Sequence, residues 1–154
     1  MESNRYTTLF HLRCAARLLE RQCRLMRRVE IAARAISFLS GTAAFAAIVG
    51  GRPVLTLLIG LLLACAQAVE FVLRPGERAA RYARCARLYE RPASRRGELS
   101  DAELAQSLTD AREQDDSDEI ESLRRAAWND TAAEVGAEKR LTLTRWERLV
   151  SALA

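Results

Sequence analysis

Residues 35–69 read AISFLSGTAAFAAIVGGRPVLTLLIGLLLACAQAV, two uncharged runs divided by the corner Gly50-Gly51-Arg52-Pro53. Ala35–Gly51 and Pro53–Val69 are 17 residues each, and Gln67 is the only strongly polar side chain of the second. A helix needs about 17–25 largely apolar residues to cross the hydrocarbon core of a bilayer. Val29 to Ala33 and Phe71 to Leu73 lengthen the two runs to that size. A buried hairpin inside a soluble bundle would also be apolar all round. A chain of 154 residues, however, has little other material with which to cover two such helices. The expected architecture is therefore an all-α membrane protein: a transmembrane hairpin over 34–74, with helices at about 34–50 and 53–73, continued by cytoplasmic amphipathic helices.

The corner sets the geometry. Glycines suit the end of one helix, and Pro53 suits the first turn of the next. So short a connection makes the helices antiparallel neighbours. Positions whose numbers sum to about 104 then lie at equal depth, which sets Arg34 level with Glu70 and Glu30 level with Arg74. These are candidate interhelical ion pairs, placed where long side chains reach the cytoplasmic edge. Farther in, Ser37 is level with Gln67, Ser40 with Ala64, and Ala44 with Gly60. These six are the candidate pore or packing face, since small residues four apart let helix backbones approach. The alternative is that serine, glycine and alanine are merely frequent in membrane helices and the register is coincidence.

Charge supports the same topology. Residues 1–96 hold 17 arginines and 6 acids, whereas residues 97–154 hold 7 basic residues and 14 acids. Basic segments can bind nucleic acid, but here the arginines flank the apolar runs as the positive-inside rule requires, so both ends are expected in the cytoplasm and nucleic acid is not an expected partner. Anionic lipid head groups are, because each Lys or Arg near such a surface is worth about 1 kcal/mol.

Four segments follow. Residues 1–33 form a basic amphipathic helix with Leu9, Leu12, Ala16, Leu19, Cys23 and Met26 as its apolar seam. After the hairpin at 34–74, Pro75-Gly76 marks a kink or restart, and residues 75–91 form a second basic helix that Pro92 should end. Its stripe is Ala79, Tyr82, Ala86 and Tyr89, suited to packing on the first helix. Residues 92–154 are a linker and an acidic helical region. Ser100-Asp-Ala-Glu103 and Thr144-Arg-Trp-Glu147 match the capping box and should each open a helix. Between them, Asp115 to Glu119 lacks the glycine and terminal glutamate of a calcium loop. It reads as a solvated turn or as an acidic surface facing the arginine helices. The last helix, with Trp146, Leu149, Val150 and Leu153 on one side, suits either packing on the bundle or lying at head-group depth.

Signs of catalysis are missing. His11 is the one histidine, and its neighbour Cys14 has no orienting acid beside it in sequence. Cysteines at 14, 23, 65 and 85 lack zinc or disulfide spacing, and no phosphate loop or nucleophile elbow occurs. No enzyme, metal or cofactor is expected, and the charged first 30 residues do not read as a cleaved leader.

The order of elements from Leu9 to Tyr89, with Arg13-Cys-Ala-Ala-Arg17 leading in, Ser40-Gly41 in the first membrane helix and Ala79 to Tyr89 leading out, resembles the SLATT group of bacterial two-transmembrane domains. Residues 98–154 are also similar to small prophage-encoded membrane proteins. The SLATT resemblance implies a bacterial inner-membrane effector of phage conflict that acts as a homo-oligomer and forms pores. The chain carries no sensor of that group, so activation would fall to a separate regulatory protein or to the acidic C-terminal region. A phage holin-like lysis protein and a membrane-anchored interaction module without a pore share the same topology.

Overall fold

The computed structural model describes residues 2–40, 50, 53–137 and 140–154. Six helices and no strand occur among them: α1 (Glu2–Ser40), α2 (Pro53–Leu73), α3 (Pro75–Ser94), α4 (Asp101–Gln114), α5 (Glu121–Glu134) and α6 (Arg145–Leu153). The chain divides into two compact units, one of residues 1–25 with 79–154 and one of residues 26–78.

The larger unit is a helical bundle. The seam of α1 is buried at Leu12, Ala16, Leu19 and Cys23, and so is the stripe Ala79, Tyr82, Ala86 and Tyr89 of α3. Leu104, Leu108 and Ala111 of α4 and Leu123, Ala126 and Ala127 of α5 complete the core. The last helix packs rather than standing apart. Val150 and Ala154 join Leu123, with Leu18, Leu25 and Ile120 against them, while Trp146, Leu149 and Leu153 stay exposed.

Both expected capping boxes are present. Ser100 and Thr144 each accept from the backbone N–H three residues on, while Glu103 and Glu147 reach back to the cap N–H groups. Accepting those N–H groups lowers both carboxyls below the usual carboxylate range. Pro92 does not end α3, which runs on to Ser94. The ring removes one amide donor, but two residues from the terminus little ladder remains to be lost, and the Ser94 hydroxyl donates to the Arg91 carbonyl at 2.8 Å.

The acidic segment does not answer arginine alone. Tyr82 donates to the Asp118 carbonyl at 3.0 Å, Cys85 to Asp116 at 3.3 Å and Tyr89 to Asp115 at 2.8 Å. One face of α3 thus fastens residues 115–118 through neutral donors. Burial first, then Asp116 and Asp115, push the Cys85 thiol up to about 11, while burial and then Asp115 raise the Tyr89 phenol above its ordinary value. Both groups therefore remain protonated donors at neutral pH. The arginines of α1 take other acids. Arg21 grips Asp130 through two nitrogens, at 2.6 and 3.0 Å, and also donates to the Ser151 hydroxyl at 2.9 Å. Arg17 bridges Glu20 and Glu134, and Arg5 pairs with Asp101.

The smaller unit holds residues 26–40 of α1, all of α2, and the start of α3. At 21 residues and 1.5 Å per residue, α2 is about 31 Å long, close to the thickness of a bilayer's hydrocarbon core. Among the described residues one helical stretch, within Leu57–Ser94, is long and apolar enough to cross a membrane, and its most apolar part is almost wholly uncovered. The helix breaks at Arg74, whose φ of 43° is left-handed. A residue preceding proline is driven out of the right-handed helical region by the proline ring, and Pro75 then starts α3.

Candidate functional site

The polar residues of the smaller unit converge on one side of the helix pair. Gln67 Nε2 of α2 donates to Ser37 Oγ of α1 at 2.7 Å. One turn along, Arg34 Nε lies 3.9 Å from Glu70 Oε1. Both pairs fall in the antiparallel register whose residue numbers sum to 104. Glu30 and Arg74 do not pair, because each side chain is engaged nearer home: Arg34 reaches Glu30 at 2.5 Å, one turn back on α1, and Arg74 reaches Glu77 at 3.6 Å. The left-handed turn at Arg74 carries that side chain out of the register a straight helix would hold. Glu30 instead lies against Gly76, where an added Cβ would come within 2.7 Å of its Oε1.

The result is a charged crevice of about 590 Å³ with Glu30, Arg34, Gln67, Glu70 and Arg74 in its walls. Arg34 sits between two carboxylates, and Gln67 also lines the crevice. Chemically this is a neutralising cluster. A guanidinium held between two glutamates lowers the cost of keeping any of the three near hydrocarbon.

Among the described residues the buried side of α2 is not its small-residue row. Ala33 of α1 and Ala66 of α2 are buried, and Ile59, Leu63, Val69 and Leu73 are half-buried on the same side of α2. Gly60 and Ala64 are exposed, and among the described residues nothing lies within 4 Å of a Cβ built on Gly60. Gly60, Ala64 and Ala68 lie on the exposed side of α2. Ala44 and the Ser40 side chain lie outside the described residues.

Other potential chemistry is quiet. Among the described residues no three histidine, cysteine or acidic side chains gather as metal ligands, and the four cysteines are free thiols. Burial raises the Cys14 thiol above its ordinary value, the opposite of an activated nucleophile. A carboxyl pair that periodicity could not reveal joins α1 to α3. The hydrogen bond with Glu20, then burial, raise Glu90 above the usual carboxylate range. No family model, no curated protein and no solved structure matches this chain.

Proposed function

We propose that this chain is a bacterial inner-membrane protein in which two antiparallel helices cross the bilayer, hold both termini in the cytoplasm, and associate with further copies as a membrane effector. The outward apolar surface of α2 carries the reading. Leu57 and Phe71 are 74% and 79% exposed, and Leu58, Leu61, Leu62 and Val72 stand out beside them. A band this long and apolar is stable against lipid tails and unstable against water.

The Ser37–Gln67 bond is consistent with the same setting, because polar side chains in hydrocarbon pair with each other across helices. The outward row Gly60, Ala64 and Ala68 offers close approach to a neighbouring copy. The effector role itself rests on the SLATT resemblance, and lipid head groups and a separate regulatory protein are its implied partners. Purified protein in planar bilayers should give step-like conductance that Gly60→Leu abolishes. Silence from every oligomeric fraction would remove the effector role and leave an anchor.

One observation favours the second reading, a membrane-anchored interaction module. Helix α6 leaves Trp146, Leu149 and Leu153 exposed at helical spacing, beside its packed Val150. Affinity capture with and without residues 98–154 separates the two. A module loses its partners on truncation, whereas an effector keeps its toxicity.

A further inference from the structure

Within the larger unit, a cavity of about 340 Å³ opens between α1, α3, α4, the 115–120 connection and α5. That volume lies at the lower end of the range occupied by small-molecule sites. Gln22 lines it and is 0% exposed, yet neither its Oε1 nor its Nε2 has a hydrogen-bond partner among the described residues. Folded proteins satisfy nearly all buried polar groups, so an amide left with both a donor and an acceptor unused invites an occupant.

The remaining charges of the lining show what that occupant carries. Asp115 is filled by Tyr89 on one oxygen and by the Ser117 amide and hydroxyl on the other. Glu119 is taken by Arg124 at 3.4 Å. Arg112 stands at the exposed rim, with no hydrogen bond or ion pair among the described residues. The cavity therefore presents one uncommitted cation at its rim and one uncommitted amide at its buried end. Cys14 also lines the cavity as a neutral thiol and sets no charge against an anion.

We infer that this cavity binds a small organic anion, with the anionic group on Arg112 and an amide-type edge paired to the side chain of Gln22. A carboxylate and a phosphate offer Arg112 the same chemistry, and the test separates them.

The full chain, purified in detergent micelles, is titrated with succinamate and with phosphonoacetamide, which join an amide to a carboxylate and to a phosphonate. Succinate lacks the amide and succinamide lacks the anion. At least one amide-bearing anion should raise the unfolding midpoint, and the stronger of the two names the anion. Both controls should bind more weakly by about tenfold or more. Gln22→Leu and Arg112→Gln should each weaken binding to a similar degree. Arg112 is a surface residue, so its variant keeps a readout if the core variant folds poorly. Equal effects from probes and controls, no effect from either probe, or undiminished binding in Arg112→Gln would each overturn the assignment.

Discussion

Replacing Gln22 by leucine should stabilise the ligand-free protein, which is an unusual direction for a change at a fully buried position. The side chain is 0% exposed with both amide atoms unpaired, and a buried polar group without a partner costs on the order of 1–3 kcal/mol. Leucine removes that cost and occupies a similar volume, while the branched shape adds strain of up to about 1.5 kcal/mol. The balance is a gain of about 1 kcal/mol, which for a chain of 154 residues corresponds to a rise of roughly 2–4 °C in Tm. Thermal unfolding followed by far-ultraviolet circular dichroism in micelles, without added ligand, measures it. A fall of the same size would refute the reasoning, because it would mean that the amide is already bonded and that leucine strands its partner.

Arg21→Lys should cost about 1–2 kcal/mol, since lysine cannot reproduce the two-pronged grip on Asp130 or the added bond to Ser151; chemical denaturation checks this, and a neutral result would argue against the grip. The raised Glu90 carboxyl gives a pH dependence of definite sign. Its folded value lies above its unfolded one, so the contribution is complete below the ordinary carboxylate range and is lost as pH rises through the raised value. Glu90→Gln should flatten that limb of a stability-against-pH curve. Exchanging the charges of Arg34 and Glu70 together should restore part of what either reversal loses, with a coupling below about 1 kcal/mol because Arg34 is 68% exposed and the pair is 3.9 Å apart. Zero coupling in a double-mutant cycle would remove the pair from the account.

Local rules were readable from the chain. Both capping boxes lie within four residues, and the seams of α1 and α3 are period patterns that burial obeys. The Ser37–Gln67 and Arg34–Glu70 pairs were readable as well, because an antiparallel pair has one register parameter and the sequence suggested its value. Which side of α2 is buried was not, since small residues and branched residues both offer a face suited to packing. The Glu30–Arg74 pairing failed for local reasons, the left-handed backbone at Arg74 and the nearer partners that both side chains find.

Long-range ties were out of reach altogether. Arg21 and Asp130 are 109 positions apart, and the three donors of α3 that hold residues 115–118 were legible as an apolar stripe but not as a hydrogen-bonding one. The cavity at Gln22 gathers residues from α1, α3, α4, the following connection and α5. No spacing rule within a single helix could have marked it.

The central claim is that α2 and the apolar end of α1 cross a bilayer and return. In a cysteine-free background, single cysteines at Gly50, Ser94 and Gln106, all exposed positions, are labelled with a membrane-impermeant maleimide in right-side-out and inverted vesicles. The account predicts that Ser94→Cys and Gln106→Cys react only in inverted vesicles, and that Gly50→Cys reacts only in right-side-out ones. Reaction of all three from the same side, or release of the protein from membranes without detergent, would contradict it.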